Sequence, residues 1–334
     1  MTGENIRLSS SEIAGLWETY MQESMAYCIL IHLAQHLKDE EIKPLVEKSL
    51  ELAKSHIKQI ETIFNEEKFP IPDAFSDEDV DLTAPPLFHD EFSLSFIYSM
   101  NRMAMVKFAF TTSNVARTDV RKFFTDCLNE STNSFNKAVT LMLNKGIYER
   151  PPMINYPEKV EYIESESLFT GYLNKKRKIN VLEINEIFYN IVRNYYGSLL
   201  CLGLLQVSRD EEVKKYIKNG KKICDKQIEI FNEILLKEDL LGAVPLAVVV
   251  TDSTTSPFSD RLIVQLFHSL NQMDITLLGH SLSLSMRSDL TLHFSQLIFE
   301  VIQYSKDGFD ILVNRKWLEQ PPQATDRKKL MDQK

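Results

Sequence analysis

The chain holds 334 residues, 44% hydrophobic and 25% charged, a balance that suits two globular domains of about 150 to 170 residues and excludes a disordered or bilayer-embedded chain. Its formal net charge of -9 excludes the concentrated positive face that grips a phosphate backbone, so no nucleic-acid partner is expected. No apolar run reaches the roughly 18 residues of a membrane span, and the polar opening stretch lacks the apolar segment of a signal peptide, which together predict a cytoplasmic protein.

Ser9 and Glu12 have capping-box spacing, and Ile13, Leu16, Trp17, Tyr20, Ser24, Tyr27 and Ile31 then recur on one face, predicting a first helix that ends near His36. The acidic run Asp39, Glu40, Glu41 suits the start of a second helix, with Pro44 in its first turn and Ile42, Leu45, Leu52, His56, Ile60 and Ile63 facing inward. Residues 68–90 are proline-rich, acidic and too long for a hairpin loop, so they form a crossover. A third helix is expected over residues 91–115. Thr118 and Asp119 read as N-cap and first acidic position of a fourth, whose inner stripe is Val120, Phe123, Phe124, Cys127, Phe135 and Val139, and which Gly146 stops. In the second half, helices are expected near residues 182–207, 210–238, 259–285 and 288–314.

The halves repeat each other. Residues 38–43 match 209–214, 99–103 match 269–273, 117–120 match 287–290, and 149–152 match 319–322, all at an offset of 170 or 171 residues. The expected fold is all-α: a tandem duplication of two ferritin-like four-helix bundles, each with a long crossover between helices 2 and 3. The expected boundaries are 1–158 for the first bundle, 159–180 for a linker, 181–322 for the second bundle and 323–334 for a polar tail. The basic cluster from Lys175 to Lys178 reads as a solvated connector, and Cys28, Cys127, Cys201 and Cys224, without CxxC spacing, read as reduced core thiols.

Five segments carry a resemblance to a family: Ser11 to Trp17; Asp39 to Pro44; Phe69 to Pro72 with Asp77 to Val80; Arg117 to Arg121; and Arg150 to Pro152 with Tyr156 and Pro157. The chain resembles the functionally uncharacterised, duplicated ferritin-like proteins of endospore-forming bacteria, some of which carry a spore-coat label. The resemblance covers nearly all of both halves and implies a fold and a genomic setting rather than an activity.

Ferritin-like oxidases hold two metals with a Glu from each of two helices and a Glu-x-x-His from each of the other two. Here His56 has Ala53 three residues before it, Glu130 is followed by Asn133, helix 1 offers Glu23 and helix 3 only Asn101. The candidate metal set is therefore Glu23, His56 and Glu130, able to take iron, manganese or zinc in the first half only. The second half has Asn194, Gln227 and Glu300 there. The bland alternative makes His56 a hydrogen-bonded core residue and Glu130 a boundary carboxylate. His32 and His36 read as packing or surface residues, and Arg117-x-Asp119 with Arg287-x-Asp289 as turn contacts. His268, His280 and His293 lack a nucleophile partner in sequence, and no phosphate-binding glycine loop occurs.

These features predict a non-catalytic scaffold or interaction protein, with a metal-binding protein or oxidase as the alternative and an apolar-ligand carrier as a third reading. The two bundles are expected to pack about a pseudo-twofold axis. The Pro-Pro segments at 151 and 321 are expected to leave each bundle extended and lie across the other half. The apolar stretch 240–250 is expected to be buried between the halves or in a homo-oligomer.

Overall fold

The computed structural model describes residues 6–162, 177–242 and 250–332. Among them are α1 (Ser10–His36), α2 (Lys43–Glu66), α3 (Asp90–Asn114), α4 (Thr118–Asn144), α5 (Val181–Val207), α6 (Glu211–Leu236), α7 (Asp260–Leu284), α8 (Ser288–Asn314) and a short α9 (Arg327–Asp332), and no strand. None of these helices is long and apolar enough to cross a membrane.

Local chemistry explains where the helices begin. Ser9 and Glu12 form the expected capping box on α1, and Asn180 with Glu183 forms its counterpart on α5. Asp39 Oδ1 accepts from the backbone N–H groups of Glu41 and Ile42, turning the chain into α2. At α4 the expectation needs correcting. Thr118 is already helical and Arg117 holds the cap position without a side-chain cap bond, because Arg117 is engaged elsewhere. The tail also holds α9, whose first-turn N–H groups Asp326 receives.

Each half is a four-helix bundle made of two antiparallel hairpins, α1–α2 against α3–α4 and α5–α6 against α7–α8. Leu16, Phe64 and Phe124 centre the outer core of the first bundle, and Phe188, Phe231 and Phe294 that of the second. A third and larger cluster runs through both halves, joining Leu33, Phe88 and Phe96 to Leu204, Phe258 and Leu266. The chain is thus a tandem duplication of helical bundles with one shared core.

The crossovers lock the halves together. Val80 bridges Phe258 and Phe88 bridges Val250, both antiparallel. Within each bridge one partner is the 170-residue counterpart of a member of the other bridge, Val80 of Val250 and Phe88 of Phe258. The N–H of Asp81 likewise donates to Pro257 O (2.8 Å), and that of Thr251 to Leu87 O (3.0 Å). Such reciprocity is the signature of a twofold interface and gives the expected pseudo-twofold axis. Asp79 adds a one-sided tie. It accepts from Ser259 Oγ (2.7 Å) and from Arg261 (2.6 Å). Burial works to raise the Asp79 carboxyl, yet hydrogen bonds from Arg261, Ser259 and the backbone of Ser76 hold it below its usual range.

The turns just before the Pro-Pro segments reach the other half, whereas residues 153–162 and 321–331, expected to lie across it, are exposed. Tyr148 packs edge-on against Tyr98 beside Tyr189 of α5, and Glu319 accepts from the N–H groups of Ala74 (2.6 Å) and Asp73 (3.1 Å). Two further expectations change. Arg177 is not a solvated connector residue, because its guanidinium forks onto the buried Glu183 at 2.7 and 2.9 Å; Lys175 and Lys176 lie outside the described residues. In the apolar stretch, Val250 is buried but Leu241 is 79% exposed, and residues 243–249 lie outside the described residues.

Candidate functional site

Midway along the first bundle, α1, α2 and α4 bring the three sequence candidates together. His56 Nδ1 lies 2.9 Å from Glu23 Oε1 and its Nε2 lies 2.7 Å from Glu130 Oε2. The imidazole is buried, Phe123 packs edge-on against it at 5.8 Å between centroids, and the Glu130 side chain remains 40% exposed. Burial opposes a charge on His56, but hydrogen bonding to Cys127 and Glu23 and their fields outweigh it, pushing its pKa up to about 11. Without another cation, His56 is an imidazolium between two carboxylates, as a buried ionisable group requires.

Two residues of the site escaped the sequence analysis. Cys127, one helical turn before Glu130 on α4, places its sulfur within 4.8 Å of the ligand atoms of His56 and Glu130. Burial pushes its thiol up, and His56 draws it back. Helix α3 contributes Lys107, whose Nζ donates to Gln22 Oε1 (2.6 Å) and lies 3.5 Å from Glu18. Burial lowers the Lys107 pKa, with Glu18 and Glu23 resisting. The available signals were the Cys-x-x-Glu spacing from residue 127 to 130 and a lone lysine within the apolar stretch 103–110. Asn101, the residue α3 was expected to offer, instead donates to Ile97 O of its own helix.

A two-metal ferritin-like centre does not fit this chemistry. It needs carboxylates from all four helices, whereas α3 supplies Lys107, its side chain 10% exposed, and Ala53 stands where α2 would carry its Glu.

At the positions of Glu23 and His56 the second bundle is neutral. Asn194 Nδ2 donates to Gln227 Oε1 (2.9 Å), both side chains being buried, and Glu300 pairs with Lys226 at the rim. The bundles differ in access too. In the second, the Tyr216 and Tyr304 rings stack at 4.4 Å between α6 and α8, and each hydroxyl lies where a Cβ on Gly308 or Gly220 would be, so no side chain fits at those glycines. In the first, Leu45 and Ser134 hold the tyrosine positions and leave a cleft of about 580 Å³ between α2 and α4 that reaches Glu130.

The other candidates divide. His32 is buried against His36 and Phe258, and His268 lies against Phe309. His280 is 3.9 Å from Glu186 and His293 lies near Glu233, so the second-half histidines have separate surroundings. All four cysteines are free thiols. The repeated Arg-x-Asp forms a clamp in both halves. Arg117 forks onto Asp119 at 2.8 Å and reaches Glu67, and Arg287 does the same with Asp289 and Glu238. An apolar cavity of about 140 Å³ lies where the halves meet, lined by Phe92, Phe96, Leu200, Phe267 and Leu270 among others.

Fold and site together define a duplicated helical-bundle protein whose Glu23–His56 pair in the first half is matched by the neutral Asn194–Gln227 pair in the second. The family model described as protein of unknown function DUF3231 matches residues 1–160 and again 167–330, and the chain belongs to that family. No curated protein matches it. Among solved structures, it is similar to a Bacillus halodurans protein provisionally named a spore coat protein, at 19% identity and a TM-score of 0.42, over 46% of this chain and 100% of that one.

Proposed function

We propose that this protein is a non-catalytic interaction protein that takes part in spore assembly and docks a partner through the segment after α4. One observation carries the reading. Residues 151–162 leave the bundle without regular structure, punctuated by Pro151, Pro152 and Pro157, and hold Met153, Tyr156, Val160 and Tyr162 82 to 95% exposed. Aromatic and aliphatic side chains on a proline-stiffened strand lose little entropy on entering a groove. The corresponding second-half positions of Met153, Tyr156, Val160 and Tyr162 are Gln323, Asp326, Leu330 and Asp332, so the two exposed tyrosines belong to the first half only.

The spore setting comes from the provisional name of the Bacillus halodurans protein and is tested directly. In a sporulating host, the wild-type chain is expected in the extracted coat fraction, and a Tyr156→Ser, Tyr162→Ser double variant in the soluble fraction with unchanged melting temperature. A wild-type chain that stays soluble throughout sporulation would overturn the proposal.

A further inference from the structure

We propose that the first bundle binds one zinc ion through His56 Nε2, Cys127 Sγ and the Glu130 carboxylate, with Glu23 as the residue that positions the imidazole. The three donor atoms already lie within 4.8 Å of one another. Cys127 and Glu130 are one turn apart on α4 and so share a face, while His56 meets them from α2. Around a tetrahedral zinc, donors at the usual bond lengths stand about 3.3 to 3.7 Å apart. His56 Nε2 and Glu130 Oε2 are 2.7 Å apart, so Glu130 must retreat by less than its bond to the metal is long. As the most exposed group of the three, it can do so by a side-chain rotation.

The surroundings are those of a built site. Glu23 on Nδ1, at 2.9 Å, is the carboxylate that metal-ligating histidines carry on the ring nitrogen away from the metal; it fixes the ring and leaves Nε2 to coordinate. Charge closes as well. Zinc is balanced by one thiolate and one carboxylate, and Lys107, 3.5 Å from Glu18, also extends its field to Glu23. Coordination displaces two protons to water, one from Nε2 and one from Sγ. A nitrogen, sulfur and oxygen donor set selects zinc over magnesium or calcium, which take oxygen alone. The fourth position faces a cleft of about 190 Å³ lined by His56, Phe123, Asp126, Cys127 and Glu130, so it is open to water. The second bundle is an internal control, with Gln227, Leu297 and Glu300 at the ligand positions.

The test is titration of the untagged, chelator-stripped full chain with cobalt(II) as a spectroscopic stand-in, followed by competition with zinc. The expected result is one ion per chain, with tetrahedral visible bands and a thiolate-to-cobalt charge-transfer band that zinc abolishes. Cys127→Ser should remove the charge-transfer band, while Cys28→Ala should keep it. Glu23→Gln should leave stoichiometry and spectrum intact but weaken zinc about 10- to 100-fold, which a merely structural role would not do. Cobalt saturation of the wild type without a thiolate band, or a band that survives in Cys127→Ser, would overturn the assignment, and the wild-type spectrum decides even if a variant fails to fold.

Discussion

Glu23 with His56 in one bundle, and Asn194 with Gln227 in the other, are two answers to the same packing problem: a polar pair between the first two helices. The ionic answer holds only as a set. Removing His56 alone leaves Glu23 facing a polar group that cannot balance it, whereas changing both residues to the second-half pair restores a neutral hydrogen bond. His56→Gln is therefore expected to cost about 2 to 3 kcal/mol in urea unfolding. Adding Glu23→Asn should recover part of that, with a coupling of about 1 to 3 kcal/mol; strict additivity would refute the pairing. A second residue-scale prediction concerns His32. Burial, with the neighbouring His36, lowers its pKa to about 4, Asp81 opposing. Its folded pKa thus lies below the ordinary value near 6.5, so the neutral ring contributes stability above that pH, and this is lost as pH falls toward 4. The melting temperature should drop over that window by the equivalent of roughly 3 kcal/mol, and His32→Phe should flatten the drop. The candidate ligands His56, Glu23 and Glu130 were legible from helical spacing, but Cys127 and Lys107 were not. A search for Glu-x-x-His sees neither a thiol nor an ammonium in a carboxylate's place.

At the scale of elements, a single glutamate ties three helix ends together in each half. Glu12 Oε1 accepts from the N–H groups of Ala116 and Arg117, while its Oε2 accepts from Ser9 N–H. Glu183 does the same with Met286, Arg287 and Asn180. Burial would raise the Glu12 carboxyl, but these backbone N–H groups hold it below its usual range. Glu12→Ala and Glu183→Ala leave three backbone donors each without their acceptor, Glu183→Ala also releasing the Arg177 guanidinium, and each is expected to cost about 2 to 4 kcal/mol. Equal melting temperatures for wild type and both variants would show that water replaces the carboxylate freely. The sequence showed these glutamates only as capping-box partners. Their second task, holding the α3–α4 and α7–α8 turns, joins residues over a hundred positions apart and leaves no local pattern. The same limit hid the crossover bridges, whereas helix bounds and the duplication were legible because caps, prolines and apolar periodicity are written within a few residues.

At the scale of the whole molecule, the apolar cluster shared by the halves sets the unit of folding. Phe88 approaches α5 so closely that a Cβ on Gly203 would sit 2.6 Å from its ring, and Arg102 of α3 stacks on Tyr189 of α5 at 4.1 Å. Separating the halves exposes this surface on both. A chain cut by an engineered protease site within residues 163–176 should therefore stay associated through gel filtration, and should unfold in one transition. Two resolved transitions in calorimetry would mean that the bundles are independent domains.

The reciprocal bridges from residue 80 to 258 and from 88 to 250 describe more than adhesion. An isologous contact between two halves of one polypeptide is what a homodimer leaves behind when its genes fuse. Fusion replaces a bimolecular equilibrium with a fixed local concentration, so the assembled form no longer dissolves on dilution. It also ends the rule that a change in one subunit must appear in both. An ancestral pair would carry its polar centre twice, and covalent joining is what permits one copy to hold Asn194 and Gln227 while the other holds Glu23, His56 and Cys127.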